Sequence, residues 1–172
     1  MASLLENLID VLDKENTEYE KLVVLAEEKT PTIIKGDVEG LSRITEDEQV
    51  IVGRIQGMEK QRIKVLADVA NVVNRDVETL KLIDLIQMLE KMPEQQKKLK
   101  DIHERLKETT EKLRLLNDKN QLLLADKLEM VDFNLNMIRA MKSAPQTANY
   151  TRDAYTNGEV LGIFHGGFDA KQ

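Results

Sequence analysis

Apolar residues recur along most of this chain at alternating steps of three and four, which is the spacing of one face of an α-helix. Three regions interrupt the pattern, at residues 30–37, 92–94 and 143–145, and each holds a proline near a residue that suits a helix end. The pattern therefore predicts four helices and a C-terminal tail, over residues 3–29, 38–74, 80–92, 94–142 and 143–172.

Capping signals set these boundaries. Ser3 and Glu6 have the spacing of a capping box at the start of the first helix. Asp37 and Thr79 are the predicted N-caps of the second and third helices. Pro31 lacks a backbone N–H, so the first helix is predicted to end before it.

Polar residues interrupt the apolar faces of the first two helices. Glu15 breaks the first, which otherwise contains Leu5, Leu8, Leu12, Tyr19, Leu22 and Ala26. The predicted face of the second helix contains Val38, Leu41, Thr45, Glu48, Val52, Ile55, Glu59, Arg62, Leu66, Val69 and Val73. Glu59 and Arg62 are three residues apart and can pair. We predict that Glu48, Glu59 and Arg62 form a partly buried polar layer, which would fix register more than it adds stability.

The last helix is the longest, and at about 1.5 Å per residue it is on the order of 70 Å long. Ile102, Leu113, Leu124 and Leu135 recur every eleven residues, which is typical of a nearly straight apolar stripe. The stripe needs a packing partner, and the helix is long enough to extend beyond the first two. Core packing is the simpler interpretation of such a stripe. The candidate partner-binding positions are Leu116, Leu123, Leu124, Leu128, Val131, Leu135 and Ile138.

Together these elements predict an all-α fold: an elongated antiparallel helical bundle with a coiled-coil-like hairpin, one long C-terminal helix and an aromatic, Gly-rich tail. Composition agrees, since 33% of the 172 residues are charged and only 3% are aromatic. A net charge of -6 disfavours nucleic acid as a partner. No apolar run is long enough for membrane insertion, and the acidic N-terminus is unlike a signal peptide, so we expect a cytoplasmic protein.

Residues for catalysis or metal binding are scarce. The chain has no cysteine and two histidines, His103 and His165, and neither follows a glutamate at the spacing of a di-iron bundle. Gly162 and Gly166 lack the Lys-Ser/Thr pair of a phosphate-binding loop. We therefore predict no enzyme activity, no catalytic residues, no metal and no cofactor.

The tail holds four of the six aromatic residues, which is unusual for a linker. We predict a mobile recognition segment in which Phe164 and Phe168, with neighbouring aliphatic residues, fold back over the long helix as a displaceable cover. Burial of these side chains and the entropy lost in ordering them are of similar size, which favours a cover over a core element.

Residues 25–62 carry a family resemblance in their Glu-Lys-Thr helix end, Lys-Gly-Asp turn, Glu48-Gln49 pair and Glu59-x-x-Arg62. This segment resembles the FlgN family of flagellar export chaperones. The resemblance implies a cytoplasmic chaperone that binds the C-terminal amphipathic helices of hook-associated (hook–filament junction) proteins, prevents their premature assembly and delivers them to the type III export gate. It implies cargo binding in the C-terminal part and makes Tyr150 and Tyr155 candidates for gate docking.

One other class of protein fits the same pattern. A structural coiled-coil adaptor or oligomerisation protein would have long apolar faces but no transient cargo, and a homodimer would cover them. Uninterrupted heptads would favour that class. The polar positions Glu48 and Glu59 and the eleven-residue spacing of the last helix favour the chaperone instead.

Overall fold

The computed structural model describes residues 2–78 and 80–143. These residues form four helices and no strand, with bounds α1 (Ala2–Lys35), α2 (Val38–Val72), α3 (Leu82–Met88) and α4 (Pro93–Ser143). The predicted all-α, helix-packed fold is confirmed. The chain divides into two compact units, Met1–Asp132 and Phe133–Gln172.

The main core of the first unit lies where α1 begins and α2 ends. Its residues are fully or almost fully buried: Leu5, Leu8, Leu12, Val65, Val69, Leu85, Leu89, Leu99 and Ile102. The predicted apolar face of α1 is confirmed here, because each of its leucines is buried. Each such side chain contributes about 1.5–3 kcal/mol by leaving water. Since the start of α4 packs on the start of α1, α4 runs parallel to α1 and antiparallel to α2.

A smaller core cluster joins α1 to α2 further along the hairpin. Leu22 packs there against Ile51 and Ile55, with Tyr19, Leu25 and Leu113 at its edge. The predicted buried face of α2 is partly wrong, because Val38 and Val52 are exposed while Ile44 and Ile51 are buried. The face of α2 that packs in the core lies beside the predicted one. Apolar residues of the predicted face, such as Val38 and Val52, are therefore free to line a groove.

The first helix does not end before Pro31, as the sequence predicted, but continues to Lys35. A proline inside a helix costs about 3 kcal/mol, because it removes one hydrogen bond and its ring crowds the carbonyl four residues earlier. Tertiary contacts offset this cost. Ile33 is buried beyond the proline, and the Asn120 amide of α4 donates to the Ala26 carbonyl at 2.7 Å.

The turn between α1 and α2 agrees with the sequence signals. Gly36 has φ of +71°, which favours glycine. The Asp37 carboxylate accepts from the Gly40 N–H at 2.9 Å, so the predicted N-cap is confirmed.

The other boundaries differ by small amounts. Helix α1 begins at Ala2, one residue before the predicted cap. Helix α2 ends at Val72, and α3 covers only Leu82–Met88, where Lys81 is the N-cap and its N–H donates to the Asp84 carboxylate. Thr79, the predicted cap, lies outside the described residues.

Candidate functional site

An apolar cavity lies at the end of the α1–α2 hairpin, between that end and α4. We call it the hairpin-end cavity. It has a volume of about 180 Å³. Its lining includes Ile33, Val38 and Leu41 from the hairpin and Leu124, Leu128 and Val131 from α4. These three residues of α4 are four and three positions apart, so they share one helix face.

The α4 side of this cavity is the part of the predicted partner stripe that faces solvent in the first unit. Leu124 is 36% exposed, Leu128 57% and Val131 51%. Earlier on the same stripe Ile102 is fully buried, and Leu113 is half-buried. The stripe of α4 is therefore less and less buried toward the hairpin end, where the chain turns from α1 into α2.

Two other predicted stripe residues, Leu116 and Leu123, are half-buried. They lie outside the lining of the hairpin-end cavity. Within the first unit, the predicted partner-binding residues therefore fall into two groups. Leu116 and Leu123 are half-buried, whereas Leu124, Leu128 and Val131 are exposed.

In the second unit the described residues are the last turns of α4. Leu135 and Ile138 are exposed there, and so are Phe133, Met137 and Met141. Phe133, Met137 and Met141 are four residues apart, so they lie in one line along the helix, on a different side from Leu135. Sequence reasoning missed Phe133, although its four-residue step to Met137 was a usable signal.

A second, more polar cavity of about 370 Å³ adjoins the hairpin-end cavity, because Ile33 and Leu124 line both. We call it the waist cavity. The Lys29 ammonium of α1 and the Glu48 carboxylate of α2 meet in its lining at 2.6 Å. Asn120 is buried beside them and is fixed by Thr30, whose hydroxyl lies 2.6 Å from the amide oxygen. Glu48 is thus paired and only partly exposed.

The buried acid of the hairpin is Glu15 and not Glu59, so that part of the predicted polar layer is wrong. The Glu15 side chain is 2% exposed and lies 3.4 Å from an Arg62 guanidinium nitrogen. The Glu59 side chain is 53% exposed and lies 3.5 Å from the same guanidinium. Glu59 is one turn before Arg62, on the rim of α2, whereas Glu15 lies in the helix interface.

Burial controls the protonation of this cluster. Desolvation raises the pKa of the Glu15 carboxyl above its usual range, the Arg62 charge opposes the rise, and Glu59 adds to it. Desolvation and then the Glu15 charge also raise the pKa of the Tyr19 hydroxyl. Neither Glu15 oxygen has a hydrogen-bond partner, which makes the pair a costly feature of the fold.

The predicted tail residues Tyr150, Tyr155, Phe164 and Phe168 lie outside the described residues. In the part that is described, no three histidine, aspartate or glutamate side chains come together as a metal site. Over the same residues, no helix has the length and apolar character needed to cross a membrane.

Comparison with known proteins places the chain in a family. A family model described as FlgN protein matches residues 1–158. The chain belongs to the FlgN family. No curated protein and no solved structure gives a match. FlgN proteins are flagellar export chaperones and not enzymes, so the general role of this chain is that of a chaperone for flagellar proteins.

Proposed function

We propose that this FlgN protein binds the C-terminal amphipathic helices of hook-associated proteins in the cytoplasm, prevents their premature assembly and delivers them to the flagellar export gate. One observation carries the proposal: Leu124, Leu128 and Val131 form an exposed apolar face beside an open apolar cavity. Helices that pack only after assembly expose apolar faces beforehand, and such faces aggregate unless they are covered.

The geometry favours helix-in-groove binding. The three α4 residues occupy one face at helical spacing, and the hairpin end supplies Ile33, Val38 and Leu41 on the other side. A partner helix that laid its apolar stripe there would extend the bundle by one helix. Leu116, Leu123, Leu135 and Ile138 complete the proposed cargo-binding set.

Binding of a purified cargo segment tests this proposal. Leu124→Asp, Leu128→Asp and Val131→Asp are each expected to abolish capture of the C-terminal helical segment of a hook-associated protein from the same organism. Because these side chains are exposed, the free variants are expected to keep wild-type helicity and melting temperature.

Leu122→Asp is the matched control. Leu122 is also exposed on α4, but it is two positions from Leu124 and therefore points to another side. Equal loss of cargo binding in the control and in Leu124→Asp, or loss of fold in the three variants, would contradict the assignment.

Delivery to the export gate is assigned to Tyr150 or Tyr155, on the strength of the family resemblance. A variant with both tyrosines replaced by alanine is expected to bind cargo normally but to export it poorly from cells. Reduced cargo binding in that variant would assign these tyrosines to the cargo site instead.

Self-association is a second candidate function, favoured by the second unit. Phe133, Met137 and Met141 expose a separate apolar line on the last turns of α4. A second copy of the chain would cover it in a homodimer. Light scattering of the cargo-free protein would then give twice the monomer mass, and Phe133→Asp would return it to a monomer.

A further inference from the structure

A groove runs along the first unit between α2 and α4, with α1 as its floor. Three cavities follow one another in it. The first, of about 330 Å³, is lined by Arg62 of α2 and His103 of α4, and the waist and hairpin-end cavities come next. From His103 to Val131 the α4 wall is 28 residues long, or about 42 Å at 1.5 Å per residue. That length matches one partner helix.

The waist of this groove differs chemically from its hairpin end. Lys29 and Glu48 project from the floor and the α2 wall, and their side chains remain 21% and 19% exposed. Asn117 and Gln121 line the opposite wall on α4. The ion pair keeps hydrogen-bonding capacity beyond its single contact, because an ammonium has three donors and a carboxylate about four acceptor sites. Solvent in the open cavity can meet that capacity.

A bound helix would replace this solvent. An apolar side chain over the waist would leave the polar capacity unmet, which costs affinity. A charged side chain would unbalance a pair that is already neutral. An uncharged polar side chain, such as that of glutamine or asparagine, both donates and accepts, and so it matches the Lys29–Glu48 pair and the two amides.

We propose that the α2–α4 groove binds an amphipathic partner helix whose apolar stripe is interrupted by one uncharged polar residue, and that Lys29 and Glu48 select for this residue. The inference rests on the proposed function and adds the site and the chemistry of the helix. The interrupted stripe fits the groove because Lys29, Glu48 and two α4 amides stand among the apolar residues of the waist, whereas the lining of the hairpin end is almost entirely apolar.

Two synthetic helical peptides of 28 residues provide the probes. Both have the same leucine and isoleucine stripe, and they differ only at its centre, which is glutamine in one and leucine in the other. Wild-type protein is expected to bind the glutamine peptide about 5- to 150-fold more tightly, which is the ratio set by one unmet buried polar group. The double variant Lys29→Met, Glu48→Leu is expected to reverse this preference.

Two controls keep the test specific. The ion pair between Lys112 of α4 and Glu27 of α1, at 2.7 Å, lies outside the groove lining. Lys112→Met, Glu27→Leu is therefore expected to keep the wild-type preference. Glu48→Gln, a milder change, is expected to reduce the preference without affecting the melting temperature, so the test does not depend on the double variant folding.

Cysteine crosslinking locates the peptide. The chain has no cysteine, so one introduced thiol is unique. A thiol at Val52, in the waist lining, is expected to form a disulfide with a cysteine placed next to the central residue of the peptide. A thiol at Val24, which is exposed but lines a different surface cavity, is expected to form none.

Each outcome bears on one of the two proposals. Equal affinity of wild-type protein for both peptides, or an unchanged preference in the double variant, would overturn the role of Lys29 and Glu48. If neither peptide bound while the cargo segment did, the groove inference would fail and the proposed function would stand. If the cargo segment did not bind either, the proposed function itself would fail.

Discussion

Replacement of Arg62 by alanine tests how the hairpin tolerates a buried acid. Arg62 is the cation nearest to the Glu15 carboxylate, at 3.4 Å, and neither oxygen of that carboxylate has a hydrogen-bond partner. Without Arg62, Glu15 must remain charged in a desolvated site or take up a proton. Loss of one member of a buried pair commonly costs about 3–5 kcal/mol.

Protonation sets an upper limit on this cost. Glutamate in an unfolded chain has a pKa of about 4.3. A folded state that keeps the carboxyl protonated loses about 1.4 kcal/mol of stability for each pH unit above that value. The limit is therefore about 4 kcal/mol at pH 7 and about 1 kcal/mol at pH 5. Because the pKa of Glu15 is already raised in the wild-type protein, part of this cost is present before Arg62 is removed. We therefore expect Arg62→Ala to lower the free energy of unfolding by about 1–3 kcal/mol at pH 7 and by no more than about 1 kcal/mol at pH 5.

The sign of the pH dependence follows from the raised pKa of Glu15. The folded state binds this proton more tightly than the unfolded state does. Stability therefore falls as pH rises above the unfolded pKa, and the loss is complete above the folded pKa. Arg62 opposes the rise, so its removal widens the pH range over which stability is lost.

Urea denaturation at pH 5 and pH 7 measures the effect, and two variants serve as controls. Glu15→Gln in the Arg62→Ala background is expected to recover most of the loss at pH 7. Arg54→Ala is expected to cost less than about 1 kcal/mol, since Arg54 is exposed and Glu18 keeps Lys21 as a partner. A pH-independent loss in Arg62→Ala, or no recovery by Glu15→Gln, would refute the reasoning.

Three further predictions concern the fold, and melting curves measure each. Pro31→Ala is expected to stabilise the protein by about 1–3 kcal/mol, because α1 already continues through this position; a loss of stability would show that the proline ring packs favourably. Asp37→Ala is expected to lower stability by about 1 kcal/mol through loss of the α2 cap, and Asp37→Asn is expected to retain most of the stabilisation that the cap provides. Leu99→Ala is expected to cost about 2–5 kcal/mol, since Leu99 is fully buried; a cost below about 1 kcal/mol would remove it from the core.

Helical periodicity was sufficient to predict the fold class, because three- and four-residue spacing continues through most of the chain. It failed at Pro31, where the local penalty was overcome by contacts that are remote in sequence. Ile33 is buried beyond the proline, and the amide of Asn120, from another helix, donates to the carbonyl of Ala26, five residues before the proline. Such contacts cannot be read from a local window.

The candidate site was only partly predictable for a similar reason. The exposed edge at Leu124, Leu128 and Val131 belongs to a stripe that the sequence identifies, but exposure depends on where the hairpin ends. The role of Glu15 was hidden because spacing can pair Glu59 with Arg62 on one helix but cannot show which acid faces the neighbouring helix. Lys29 and Glu48 are nineteen residues apart and meet only when the hairpin closes.

Hydrogen–deuterium exchange with and without the cargo segment tests the central claim most directly. Slower exchange on cargo binding is predicted for residues 33–41 and 124–131, which surround the hairpin-end cavity. Residues 5–12 lie in the main core and are predicted to exchange at the same rate in both states. Protection that appeared elsewhere while residues 124–131 stayed unchanged would contradict the claim that this face of α4 covers the cargo helix.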